Sequence, residues 1–238
     1  MATIEVCFSP ALYPHIMTQE PFAVAIIDVL RATTSICTAI EYGVKQIIPV
    51  ASEEEAIAYK QQGYIVAAEK NGLKLDFADI GNSPDQFMNP ELKNASIAYL
   101  TTNGTKTIKM TNNASLSVIV SYINIDAAAD FLARRDMNVV ILCAGWKNKF
   151  SLEDSVVAGA LVEKLKERGF TYDCDSAHAA YDLWSLAKHD LLGYIQKAMH
   201  RTRLQKLHLD YVLEYCFTPN TARKVPVYDG YKIIAYEE

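Results

Sequence analysis

Residues 22–27, Phe-Ala-Val-Ala-Ile-Ile, form an unbroken apolar run. A run of this length and composition suits a strand buried on both faces, in the middle of a parallel sheet. Such a strand requires helices over both faces. Asp28, Arg31, Thr33 and Thr34 follow immediately. Residues 35–42 then read as a helix, with Ile36, Cys37, Ala39 and Ile40 on its apolar side. Open α/β sheets bind ligands at this kind of place, beyond the carboxyl end of a central strand and beside a helix start. The competing reading is a capped helix, with Thr33 or Thr34 as N-cap and Asp28 paired to Arg31.

The rest of the chain repeats the alternation. Strands are expected at residues 4–8, 46–50, 64–68, 97–100, 116–122 and 138–144. Helices are expected at 52–62, 105–111, 126–135 and 151–168. Ser52-Glu-Glu-Glu55 has the N-cap and acidic first turn of a helix that stops at Gly63. Residues 69–84 are the longest stretch without periodicity, and loops of that length tend to be functional. Residues 176–216 read as helical throughout. Asp229-Gly230 between short β-prone runs signals a terminal β-hairpin. The expected fold is α/β: three layers, α/β/α, with a mainly parallel central sheet. The extra C-terminal helices pack onto one domain spanning 1–238.

Composition narrows the function. The net charge is −5, and no basic cluster carries interleaved aromatics, so no nucleic-acid partner is expected. No apolar run approaches the roughly 18 residues of a membrane span. The N-terminal residues lack the pattern of a signal peptide. Five cysteines are spread without a CxxC pair, which fits reduced thiols and a cytoplasmic protein. Assembly as a homo-oligomer is left open.

Each chemistry-bearing set follows an expected strand. Asp28, Arg31 and Thr33 follow the first apolar run. Glu69 and Asn71, then Asn82 and Ser83, follow residues 64–68. Thr101-Thr-Asn-Gly-Thr105 follows residues 97–100, and Ser151-Leu-Glu-Asp154 lies beyond residues 138–144. Parallel strands would bring all four sets to one sheet edge. Thr102-Asn103-Gly104-Thr105 at a helix start resembles an anion cradle, against an ordinary turn capped by Thr105. Ser83-Pro84 reads as a helix start. Ser151 and Asp154 form a capping box in outline. The alternative gives Asp154 to a metal, with Asp28 and Glu69 as a three-carboxylate set suited to Mg²⁺. His15, His178, His189, His200 and His208 show no ligand spacing and read as structural or surface residues.

The same segments carry a family resemblance. Ile27-Asp-Val-Leu-Arg-Ala-Thr-Thr34, Glu69-Lys-Asn-Gly72, Ile80-Gly-Asn-Ser-Pro84, Thr101-Thr-Asn-Gly-Thr105, Ala144-Gly145 and Ser151-Leu-Glu-Asp154 stand in order and spacing. Together they resemble the 2-phosphosulfolactate phosphatase family over most of the chain. Within Ala198-Met-His-Arg-Thr202, only His200 keeps the family's Ser-x-His-Gly-Arg segment.

The resemblance implies a Mg²⁺-dependent phosphatase that converts 2-phosphosulfolactate to sulfolactate, a step toward coenzyme M. Asp28, Glu69 and Asp154 are then expected to hold Mg²⁺, directly or through water, and Arg31 to grip phosphate or sulfonate oxygens. Thr33, Asn82, Ser83, Asn103, Gly104 and Thr105 are expected to bind the phosphorylated substrate. A metal-activated water is the expected nucleophile, with Asp28 the competing nucleophile or base. The alternatives are a phosphatase for another phospho-hydroxyacid and a non-catalytic binder of phosphorylated metabolites.

Overall fold

The computed structural model describes residues 1–16 and 21–236. The chain runs β1 (Ile4–Cys7), β2 (Phe22–Ile27), α1 (Ala32–Glu41), β3 (Gln46–Pro49), α2 (Glu53–Gln61), β4 (Ile65–Lys70) and β5 (Leu73–Lys74). It continues through β6 (Ser96–Leu100), α3 (Gly104–Met110), β7 (Leu116–Val120), α4 (Ile125–Ala133), β8 (Asn138–Cys143) and α5 (Leu152–Lys166). The late segment holds α6 (Asp175–Ala187), α7 (Leu191–Ile195), α8 (Met199–Lys206) and α9 (Leu213–Cys216). The hairpin β9 (Pro226–Tyr228) and β10 (Ile233–Ala235) follows.

The ten strands form one mixed, mostly parallel sheet in the order β1-β8-β2-β7-β9-β10-β3-β6-β4-β5. Helices lie on both faces, as expected of a three-layer α/β fold. All six residues of β2 are buried, which matches its uninterrupted apolar sequence. Alternate side chains of β2 serve different layers. Ala23, Ala25 and Ile27 join Val156, Leu161 and Trp184 of α5 and α6. Val24 and Ile26 join Ile36 and Ile40 of α1. Removing the bulk of Ile26 or Ile27, both wholly buried, costs about 2–5 kcal/mol because the cavity collapses only in part.

The sheet departs from expectation in one way that shapes the site. β1, β8, β2 and β7 are mutually parallel, and so are β3, β6 and β4. The terminal hairpin joins the two groups through three antiparallel pairings. The groups therefore run in opposite senses, and the loops after β2 and β6 do not share one edge of a single parallel sheet. Both groups instead turn a face to the same apolar cluster, where Val24 and Ile26 meet Ile47, Ile97, Tyr99 and Ile36. The segments after β2 and β6 nevertheless meet, Gly104 packing directly against Ala32 and Asp28.

Candidate active site

The loop after β2 is built around Asp28. Its backbone N–H donates to Thr33 Oγ1 (3.0 Å), and its carbonyl accepts from Thr33 N (2.9 Å). No side chain caps α1: Arg31 occupies the cap position, and Thr33 and Thr34 lie inside the helix. Thr34 Oγ1 instead donates to Val29 O (2.7 Å). Thr33 is wholly buried and holds the loop rather than facing a ligand.

Arg31 is buried, yet no carboxylate pairs with it among the described residues. Its Nη1 donates to Ser83 Oγ, and its Nη2 donates to Gly72 O (3.2 Å). Ser83 precedes Pro84 at a short helical turn, as expected, but its hydroxyl serves Arg31 instead of capping. The Tyr99 hydroxyl donates to Asn82 Oδ1, and Ser35 Oγ donates to Asn82 O (3.1 Å). The 82–83 loop is thereby fixed to α1 and β6.

Glu69, at the end of β4, ties its own loop to the one after β6. Its Oε1 accepts from Thr102 N (2.6 Å). Its Oε2 accepts from Thr102 Oγ1 (3.0 Å) and Gly72 N (2.6 Å). α3 begins at Gly104 because nothing larger fits. A Cβ there would stand 2.4 Å from Ala32 Cβ and 2.9 Å from Asp28 Oδ2. Thr105 is wholly buried and exchanges bonds with Thr101, so it stabilises the turn and does not face the cleft. Asn103 Oδ1 accepts from Lys147 N (3.0 Å).

Asp28, Arg31, Glu69, Gly72, Asn82 and Asn103 line one narrow cleft of about 20 Å³, together with Leu30, Trp146 and His200. That volume holds little more than a water or an ion. A wider groove of about 440 Å³ adjoins it through Glu69. Lys70, Lys106 and Lys147 line that groove with Glu53 and Glu54, so it has room for a larger ligand but, counting Glu69, no excess of positive charge.

Asp28 carries the electrostatic strain of the site. Burial pushes its pKa up to about 6. His200 opposes that rise, whereas the Glu69 and Glu153 charges add to it. Oδ1 receives only a long bond from Ala32 N (3.4 Å), and the described residues place no donor on Oδ2. An under-compensated buried carboxylate beside a second one is a favourable place for a small hard cation. Mg²⁺ commonly takes one or two carboxylates and leaves its other positions to water and phosphate oxygens. Asp28 and Glu69 fit that pattern.

Asp154 does not complete a three-carboxylate set. No group of three His, Cys, Asp or Glu side chains arranged for a metal occurs among the described residues. Asp154 is buried behind the cleft, where Oδ1 accepts from Val29 N (2.9 Å) and Oδ2 from Gly145 N (3.1 Å). Burial, then the charges of Asp28 and Glu153, hold its pKa well above the usual carboxylate range. Only half of the expected capping box forms: Ser151 Oγ accepts from Asp154 N (3.4 Å), but the Asp154 carboxyl serves Val29 and Gly145 and does not answer Ser151. Gly145 has φ +61° and lies so close to Lys149 O that a Cβ would come within 2.2 Å.

His200 corrects the expectation for the histidines. It lines the cleft with Asp28, and its Nδ1 lies 3.0 Å from Glu153 Oε1. Trp146 flanks its ring, with centroids 5.3 Å apart, and Arg203 lies 3.4 Å over the Trp146 ring. Glu153 and Trp146 carry no sequence signal by themselves. Each is an isolated residue whose partner lies elsewhere in the chain.

The family model described as 2-phosphosulpholactate phosphatase matches residues 7–230, which takes in every residue of this cleft. The chain belongs to the 2-phosphosulpholactate phosphatase family. A relative from Carboxydothermus hydrogenoformans is 34% identical over 225 residues, covering 94% of this chain and 92% of the relative. One from Caldanaerobacter subterraneus subsp. tengcongensis is 33% identical over 207 residues, covering 85% and 86%. One from Thermotoga maritima is 32% identical over 201 residues, covering 84% and 86%. Each of the three is named a probable 2-phosphosulfolactate phosphatase. The family's matched span thus contains both the Arg31–Ser83 contact and the Glu153–His200 pair.

Proposed function

We propose that this protein is a Mg²⁺-dependent phosphoric monoester hydrolase that converts 2-phosphosulfolactate to sulfolactate and phosphate, a step toward coenzyme M. The observation that carries the reading is the meeting of Asp28, Glu69 and Arg31 in one narrow cleft of a chain from this family.

Arg31 binds the phosphoryl oxygens. Its guanidinium is held by Ser83 and Gly72 O, so little freedom is lost when it meets the ligand. Asp28 and Glu69 would hold the metal, which would supply charge neutralisation at the phosphoryl group and activation of a water. Glu69 also fixes the Thr102 turn, which presents Asn103 and Gly104 to the substrate. Asp154 secures the ends of β2 and β8 from behind the cleft. The five free cysteines suit a reducing cytoplasm, and no described helix is long and apolar enough to cross a membrane.

The test is phosphate release from 2-phosphosulfolactate and from a phospho-hydroxyacid that carries only a carboxylate, each with Mg²⁺ and with chelator. Mg²⁺-dependent release that favours the sulfonate substrate supports the full reading. Preference for the carboxylate substrate moves the specificity to another phospho-hydroxyacid. Ligand binding without turnover makes the protein a binder, and turnover unaffected by chelator removes the metal.

A further inference from the structure

Phosphomonoester hydrolysis needs more than a charged cleft. When the P–O bond to carbon breaks, the leaving oxygen keeps the electron pair and needs a proton. An alkyl alcohol is a poor leaving group, so a positioned acid contributes typically 10²–10⁴-fold. Few groups lining the narrow cleft can supply that proton. Arg31 does not deprotonate. Asn82 and Asn103 do not titrate. Glu69 is engaged as the acceptor of three hydrogen bonds and is placed to serve the cation. Asp28 is placed to serve the cation. His200 remains.

We propose that His200, oriented by Glu153, is the general acid that protonates the leaving oxygen. The inference rests on the phosphatase reading above.

His200 and Glu153 are 47 residues apart and meet where the start of α8 lies on the first turn of α5. Glu153 Oε1 takes Nδ1 at 3.0 Å, which leaves Nε2 as the nitrogen free for the substrate. The Glu153 side chain is 3% exposed. Burial raises its pKa, but the hydrogen bond and charge of His200 outweigh that and hold it below the ordinary glutamate value. A buried carboxylate hydrogen-bonded to an imidazole fixes the ring's tautomer and orientation, the arrangement seen in carboxylate–histidine catalytic pairs. The charged groups that line the two pockets His200 borders are Asp28, Glu69 and Glu153 on one side of the balance and Arg31, Lys149, Lys197 and Arg203 on the other, with Trp146 against the ring.

The step balances. Water attacks phosphorus and the ester P–O bond breaks. The leaving oxygen takes the Nε2 proton and departs as the alcohol. The proton released from the attacking water restores the imidazolium by way of solvent. Glu153 does not touch the substrate and is a positioning residue.

The experiment exploits leaving-group chemistry. p-Nitrophenyl phosphate expels a stable phenolate and has little need of an acid, whereas 2-phosphosulfolactate must expel an alkoxide. His200→Gln and His200→Asn are assayed on both substrates with Mg²⁺, after each variant is shown to melt cooperatively. Two side chains of different length give two independent opportunities for a folded protein. The expected result is a fall in kcat of about 10²-fold or more on the alkyl ester and only a few-fold on the aryl ester. Glu153→Gln should show the same split at smaller size, near 10-fold on the alkyl ester. Equal losses on both substrates, or no loss on either, would overturn the proposal. A wild-type protein that hydrolyses neither ester would overturn the phosphatase reading itself, which is a different and distinguishable result.

Discussion

Asp154 Oδ1 accepts a 2.9 Å hydrogen bond from the amide of Val29, across 125 residues of sequence. Its other oxygen accepts from Gly145 N at 3.1 Å. Val29 follows β2 and Gly145 follows β8, so one carboxyl group laces together the ends of neighbouring parallel strands. Asp154→Asn keeps the shape but replaces one acceptor with an NH₂ group that faces an N–H. One buried amide loses its partner, at a cost of about 1–3 kcal/mol. Urea denaturation should show that loss, with turnover reduced through displacement of Asp28. An unchanged midpoint would mean that the loop finds another acceptor.

Gly104 sets how closely α1 and α3 approach. The Cβ of an alanine there would need to occupy space 2.4 Å from Ala32 Cβ, 2.9 Å from Asp28 Oδ2 and 3.2 Å from Thr101 Oγ1. Gly104→Ala therefore pushes the two helix starts apart at the point where the cleft is formed. Overpacking of this kind costs about 1–3 kcal/mol, and turnover should fall much further than stability. Activity and thermal melting measured on the same sample test the split. A fully active Gly104→Ala protein would show that the gap is not needed.

Arg31→Lys keeps a positive charge but loses the planar fork. One ammonium cannot serve Ser83, Gly72 O and a phosphoryl oxygen in the same geometry. The expected fall in kcat/KM is about 10²-fold or more, comparable to removing one donor from a preorganised oxyanion site. Ser83→Ala leaves the guanidinium in place with one less anchor and should cost less, near 10-fold. The ordering of the two variants, read from steady-state kinetics, is the critical observation.

The sequence exposes what is local and repetitive. The continuous apolar run of β2, the Ser52 and Ser151 caps and the Asp229-Gly230 hairpin are all set by neighbours in the chain, and all were legible. Pairing sense was not. β3 and β10 meet across most of the chain, and nothing in the strands says that three antiparallel pairings through the hairpin reverse one half of the sheet. The site divides in the same way. Asp28, Arg31 and Glu69 stood out because charged residues directly after buried strands are unusual. His200 looked ordinary because its meaning comes from Glu153, on a different helix. Thr33, Thr105 and Asp154 were legible as polar residues near the site. Whether a side chain faces the ligand or the backbone behind it depends on tertiary packing, and all three face inward.

Asp28 makes the cleft costly in the absence of a cation, and pH sets the size of that cost. Its folded pKa is pushed up to about 6 from an ordinary 3.8, by burial above all. Between those values the folded state binds a proton that the unfolded chain has released. Stability from this group is therefore lost as pH rises from about 4 to 6. A shift of this size corresponds to roughly 3 kcal/mol above pH 6. Asp28→Asn removes the buried charge. In chelator at pH 7.5 the variant should be more stable than wild type by up to that amount, and the advantage should vanish near pH 4. Added Mg²⁺ should raise the melting temperature of wild type and leave that of Asp28→Asn nearly unchanged, because only a state that binds the ion gains from it. Equal metal-induced shifts in both proteins would place the cation elsewhere. A wild-type protein as stable as the variant at pH 7.5 would show that the carboxylate is already compensated.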